Sequence, residues 1–206
     1  MTPADARGTG FSVVLRYPLL MKARHPFLNH VVAAVAALFC LWAPALAQTP
    51  ALDTLFEDLG TADAEQAARI EREIFTEWSK SGSMAMDLLL QRGRDAMEAG
   101  DTAAAIEHLT ALTDHAPDFA EGWNARATAL YASGEFGPAI EDIARVLTLN
   151  PRHFGALSGL GMILEELGRP EQALEAYRAA LAIHPHLAAV LDAVERLETE
   201  TAGQDL

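Results

Sequence analysis

The sequence predicts an all-α fold: a solenoid of three stacked helical hairpins with capping helices before and after it. Three observations carry the prediction. Pro117, Pro151 and Pro185 stand 34 residues apart, and each closes an alanine-rich stretch of helical pattern. Gly100, Gly134 and Gly168 keep the same step. Half of the 206 residues are hydrophobic, yet aromatics make up only 7% and strand-forming runs of Val, Ile, Thr and Tyr are missing. Alanine supplies much of the apolar fraction, which favours helices packed through small contacts over a sheet.

Residues 1–47 read as a leader. Residues 22–30, KARHPFLNH, are basic; residues 31–43, VVAAVAALFCLWA, are apolar; Pro44 and Ala45-Leu46-Ala47 come next. A positive segment, a short apolar core and a small-x-small site form the three-part pattern of a signal peptide, with Gln48 as the expected new N-terminus. The apolar run is shorter than the roughly 20 residues a spanning helix needs. Met21 opens a more typical leader than Met1 does. Cys40, the sole cysteine, comes after Phe39 rather than the small residue a lipid attachment site requires, so it reads as part of the apolar core. One cysteine excludes internal disulfides and thiolate clusters.

Residues 48–83 form an N-terminal helical segment and linker. Leu52, Leu55, Phe56 and Leu59 give a short amphipathic helix that Gly60 ends. Thr61 to Glu65 supply N-cap signals for a second helix over 64–79 with Ala67, Ile70, Ile74, Phe75 and Trp78 on it. Ser79-Lys-Ser-Gly-Ser83 is the linker. An end repeat needs covering, so the pair is expected to cap the first repeat, with a separate docking element as the alternative.

Residues 84–185 hold the repeats, as segments 86–118, 120–152 and 154–186. Ala105, Ala139 and Ala173 share the register, as do the bulky Leu109, Ile143 and Tyr177, and Leu89, Trp123 and Leu157. In the second unit the pattern runs Trp123, Arg126-Ala127, Leu130, Ala139, Ile143, Pro151. In the third it runs Leu157, Leu160-Gly161, Leu164, Ala173, Tyr177, Pro185. In the first it runs Leu89, Arg92-Gly93, Ala96, Ala105, Leu109, Pro117. This resembles the tetratricopeptide repeat (TPR), a 34-residue helix–turn–helix unit with the pattern W-x2-L-G-x2-Y, A-x3-F, P. Arg92 and Arg126 depart from it by replacing leucine; their stems are expected to cover apolar surface with the heads in water. Small residues let paired helices approach, bulky ones fill the remaining space, glycines end the first helix and prolines the second. Equal units stack with equal rotation into a superhelix with a concave face.

Residues 186–206 complete the chain. Leu187, Val190, Leu191, Val194 and Leu197 make an amphipathic helix that caps the third repeat, with TAGQDL expected to fray.

Net charge is −14. Without residues 1–47, which hold Arg7, Arg16, Lys22, Arg24 and Asp5, 11 basic and 28 acidic residues remain, a charge of −17. So acidic a body repels nucleic acid and anionic membranes. No P-loop, dinucleotide fingerprint, nucleophile elbow or zincin motif is present, so neither a catalytic residue nor a cofactor is expected. His184 and His186 flank Pro185 without a further ligand beside them and read as surface histidines, as do His108 and His115. The acid pairs Glu141-Asp142 and Glu165-Glu166 read as solvated.

The resemblance implies that the first helix of each unit lines the concave face. Asp87, Leu90, Arg94 and Met97 fall there in the first unit, Glu121, Asn124, Thr128 and Tyr131 in the second, and Gly155, Ser158, Met162 and Glu165 in the third. Arg94, Asn124, Thr128, Tyr131, Ser158 and Met162 are the candidate peptide-binding residues, mixing hydrogen bonders with exposed apolar side chains. TPR domains that bind a chaperone's C-terminal carboxylate use Lys, Asn and Arg; this set supplies Asn124 and Arg94 but no Lys. The expectation is a non-catalytic, exported scaffold that binds another protein or peptide in a bacterial periplasm. A second reading is a homo-oligomer assembled through the N-terminal helices, and a third a membrane-anchored assembly factor if the leader is retained.

Overall fold

The computed structural model describes residues 50–204, so the expected leader and Cys40 lie outside the described residues. Within them every regular element is a helix: α1 Pro50–Thr61, α2 Ala64–Trp78, α3 Met84–Glu98, α4 Thr102–His115, α5 Ala120–Ala132, α6 Phe136–Leu149, α7 Phe154–Glu166, α8 Pro170–Ile183 and α9 Ala188–Gln204. Helices α3–α4, α5–α6 and α7–α8 are the three hairpins, stacked in chain order.

The evenly spaced residues act as expected. Gly100, Gly134 and Gly168 have φ of +77°, +80° and +67°. In each turn the residue after the glycine donates its N–H back into the first helix, Asp101 to Ala96 (2.9 Å), Glu135 to Leu130 (2.8 Å) and Arg169 to Leu164 (2.9 Å). That is a Schellman closure, which an L side chain at the glycine position would strain. The second helices stop two residues before each proline. Ala116, Asn150 and His184 leave the helical region (φ −133°, −138°, −129°) because a proline next in the chain disfavours helical backbone.

Within each hairpin, small meets large. A Cβ added to Gly161 would lie 2.3 Å from the Tyr177 ring, and one on Gly93 would lie 2.5 Å from Leu109 Cγ. The aromatic and leucine side chains therefore occupy space that glycine vacates, and Ala105, Ala139 and Ala173 are fully buried opposite. At the far end α9 covers the third repeat with Val190 and Leu197 buried, while Leu191 points outward. The α9 backbone is helical to Gln204, so residues 201–204 of the tail expected to fray belong to the helix.

Several placements differ from expectation. The α1–α2 pair does not cap the first repeat. Its apolar face, Leu52, Leu59, Ala67, Ile74 and Trp78, packs with Phe154 and Ala180 of the third repeat and against Leu157, Ile183 and Leu187. Asp63 caps α2, accepting from Gln66 N (2.9 Å), and α1 runs on through Gly60 to Thr61. The chain reverses at Gly82 (φ +80°), and the linker is tied down by Ser81, whose N–H donates to Asp87 (2.8 Å). Arg126 does not leave its head in water. Its guanidinium forms a two-pronged pair with Asp142 (2.7 Å each), donates to Thr113 (2.9 Å) and lies over the Trp123 ring. Arg92 is exposed. Asp142 is thus buried, whereas Glu141 faces solvent. Glu165 is likewise engaged, accepting from Tyr177 Oη (2.6 Å) and Arg196, which leaves Glu166 as the solvated member of that pair.

The register gives a direct test. Ala139 is fully buried between α5 and α6 and Glu141 is exposed. Ala139→Trp is expected to lower stability by about 1–3 kcal/mol or more through overpacking. Glu141→Trp should change it by less than about 0.5 kcal/mol. Thermal or urea unfolding of the two variants makes the comparison.

Candidate peptide-binding groove

Helices α3, α5 and α7 lie side by side, so one face of each contributes to a common surface. Toward the starts of α5 and α7 that surface is built around Glu121. Its side chain is 4% exposed. One oxygen accepts from Arg94 Nη2 of α3 (2.6 Å). The other accepts from Asn124 Nδ2 (3.2 Å) and faces His153 Nε2 (3.1 Å). Such convergence is what burying a carboxylate requires.

His153 is the hinge of the arrangement. It is fully buried at the N-cap of α7, and its Nδ1 accepts the Ala156 N–H (3.0 Å). A ring whose Nδ1 accepts carries its proton on Nε2, so His153 donates to Glu121. The Trp78 ring stacks on the imidazole, 4.1 Å between centroids and 19° from parallel. Phe75 and Trp78 both meet Phe154, at 5.4 and 5.1 Å. Arg94 also donates to Ser79 Oγ (3.1 Å). The end of α2 is thereby joined to α3, α5 and α7 at once.

Toward the last turns of α5 and α7 the surface is open. Thr128 is exposed, its hydroxyl donating to the Asn124 carbonyl (3.0 Å). Met162 is 46% exposed. Tyr131 is half-buried beside Phe136, and Ser158 donates to the Phe154 carbonyl (2.8 Å). The six candidate residues thus separate. Arg94 and Asn124 meet on Glu121, while Thr128 and Met162 are exposed, Tyr131 and Ser158 are half-buried, and these four make their contacts locally. Leu90, expected on the exposed concave face, is instead 2% exposed in the core with Leu109 and Ala129.

Sequence reasoning missed His153 and Trp78 as site residues. A signal for His153 exists: it occupies the register of Phe119 and Leu187, where a polar side chain is out of place. His184 and His186, expected at the surface, are buried and half-buried respectively. His184 is 1% exposed, with Nδ1 accepting from the His186 N–H (3.3 Å) and Nε2 facing Glu71 of α2 (3.4 Å). His186 Nε2 donates to the Ala62 carbonyl (2.9 Å). Both hold the α1–α2 pair in place. Among the described residues no group of three or more His, Cys, Asp and Glu is placed to hold a metal ion.

Comparison with known proteins agrees with this architecture. The tetratricopeptide repeat family matches residues 90–143 and 124–188. A TPR repeat-containing protein of Rhizobium etli is 38% identical over 153 residues, 74% of this chain and 75% of that protein. The chain belongs to the tetratricopeptide repeat family. Among solved structures, the Sgt2 TPR domain of Aspergillus fumigatus superposes with a TM-score of 0.57 at 24% identity, over 60% of this chain and 83% of that one. The first TPR of Spaghetti, bound to an HSP90 peptide, superposes with a TM-score of 0.55 at 22% identity, over 57% and 95%.

Burial lowers the His184 pKa below its ordinary 6.5, against the opposing pull of the Glu71 carboxylate. The folded chain therefore binds this proton less readily than the unfolded chain. The stabilisation is whole above pH about 6.5 and is lost as pH falls through the folded value. The wild-type melting temperature is expected to fall faster than that of His184→Asn between pH 7 and 5. Calorimetry across that range checks it: the gap between the two should narrow on acidification.

Proposed function

We propose that the protein is a non-catalytic scaffold of the bacterial periplasm that holds a segment of another protein on its concave face. The observation that carries this reading is the open surface toward the last turns of α5 and α7. There Thr128, Tyr131 and Met162 offer a hydroxyl, an aromatic ring and an exposed thioether on rigid helices, with the Ser158 hydroxyl one turn into α7. Rigid aromatic and hydrogen-bonding groups on a preformed surface suit a peptide. The HSP90 peptide on the Spaghetti TPR domain supports a peptide as the class of ligand.

The chemistry at the other end of the groove refines the ligand. Arg94 and Asn124 are the donors that would pin a peptide carboxylate, but Glu121 of this chain already holds them. A ligand's terminal carboxylate would have to approach a buried anion, so the favoured segment is internal or carries no free acid at this point. Self-association through the apolar faces of α1 and α2 gains no support, because those faces pack on the chain's own third repeat. Export rests on the leader, with its basic segment, apolar run and Ala45-Leu46-Ala47.

Two measurements test the proposal. Crosslinking in the periplasm coupled to mass spectrometry should capture a partner. Asn124→Ala combined with Tyr131→Ala should then weaken it by about 2 kcal/mol or more with helicity intact. Retention of the partner by that double variant would refute the groove. Independently, intact mass of the exported protein should show Gln48, or its cyclised form, at the N-terminus. A mature pool beginning at Met1 or Met21 would point to an anchor instead.

A further inference from the structure

The face by which one repeat stacks on the repeat before it is covered in the second and third units and bare in the first. Gly122 and Ala129 of α5 are buried against Leu112 and its neighbours in the first unit. Their counterparts in α7, Ala156 and Ile163, are each 1% exposed against the second unit. The same register in α3 holds Leu88 and Asp95, and both are exposed. With Met84, Arg92 and Ala99 they form one stripe at helical spacing, every member of it exposed. We propose that this stripe is a homodimer face, covered by the same stripe of a second copy running antiparallel.

Shape and charge both select that occupant. Another hairpin stacked as the units stack within the chain does not fit. A Cβ on Gly122 would already lie 3.1 Å from Leu112, and Leu88 puts a whole leucine side chain at that register. Asp95 stands where the next units carry Ala129 and Ile163. The stripe does fit itself in reverse. A two-fold axis between residues 93 and 94 sets Arg92 of each chain opposite Asp95 of the other, so two ion pairs form. The same axis sets the bulky Leu88 opposite the small Ala99. Both charges are available for this. Among the described residues Arg92 has no ion pair, since the hairpin position that gives Arg126 its Asp142 holds His108. Asp95 accepts from Gln91 of its own helix (2.7 Å) through one oxygen only. Residues 48–206 carry −17, so two copies repel at long range. At about 0.15 M salt that repulsion is screened within about 8 Å, while the paired charges touch.

Sedimentation equilibrium of the chain purified from the periplasm, at that salt, tests the face. A contact of one helix stripe is small, so dimers are expected with a dissociation constant on the order of 10 μM. The average mass should rise from monomer to dimer between about 1 and 200 μM and stop there. A monomer throughout, or a mass that climbs past the dimer, overturns the proposal without any variant. Charge exchange then locates the contact. Arg92→Glu and Asp95→Arg each put like charges opposite one another, and each should weaken the dimer at least about tenfold. The double variant carrying both changes should dimerise as wild type does. So should an equimolar mixture of the two single variants, in which every opposed pair is again of opposite sign. Both positions are exposed, so circular dichroism should show wild-type helicity in each variant. Dimers that survive the single exchanges, or that neither the double variant nor the mixture restores, overturn this face. The groove is a separate surface. Asn124→Ala combined with Tyr131→Ala should leave the dimer intact, and loss of the dimer in that variant would place the contact in the groove instead.

Discussion

Burying the Glu121 carboxylate obliges the chain to surround it with donors, and much of the groove results from that obligation. A buried carboxylate without partners costs several kcal/mol. Arg94 comes from the first repeat, Asn124 from the next turn of the same helix, and His153 from the start of the third repeat. One anion thus ties all three units together across the concave face. The same donors seat the N-terminal pair. Arg94 reaches on to Ser79, and the ring of His153 forms the platform for Trp78. A stacked Trp needs a fixed ring beneath it, and His153 is fixed at both nitrogens, by the Ala156 amide on one side and Glu121 on the other.

The repeat architecture was legible because each of its causes is local. A glycine that must take positive φ, a proline that ends a helix and an alanine that permits close approach each leave a mark at one position, and the marks recur every 34 residues. The seat of α1 and α2 was not legible. Leu52, Leu59, Ile74 and Trp78 announce an apolar face, but a periodic pattern does not say which surface receives it. The receiving surface is made of Phe154, Ala180 and Ile183, residues that the repeat pattern assigns to ordinary packing. The same limit hid His184 and His186, whose burial depends on a helix more than a hundred residues away in sequence.

Arg92 and Arg126 show a case where more could have been read. They share a register but have opposite fates, one exposed and the other buried in a two-pronged pair. Sixteen residues after Arg126 stands Asp142; sixteen after Arg92 stands His108; and in the third repeat Leu160 is matched by Ala176. The same two positions hold an acid–base pair in the second hairpin and two residues of one apolar cluster in the third. Only the first lacks a carboxylate for its arginine, and that arginine stays in water. Comparing registers within the chain identifies buried ion pairs that a residue-by-residue reading treats as solvated.

The two ends of the stack are not equivalent, and this shapes how the groove behaves. The third repeat is covered on one side by α9, through Val190 and Leu197, and again by the α1–α2 pair. The outer edge of the first repeat is left with Met84 at 89% and Leu88 at 51% exposure. In a stack held by nearest-neighbour contacts, a unit covered on one side only is the first to open. Two of the links that hold α3 in place, Arg94 to Ser79 and Asp87 to Ser81, come from the linker between α2 and α3. Seating of the N-terminal pair at one end of the groove and order of the first repeat at the edge are therefore coupled through that short linker. The contacts of Ser79 and Ser81 thus join the seat of α2 to the helix that carries Arg94, the donor that reaches Glu121 from the first repeat.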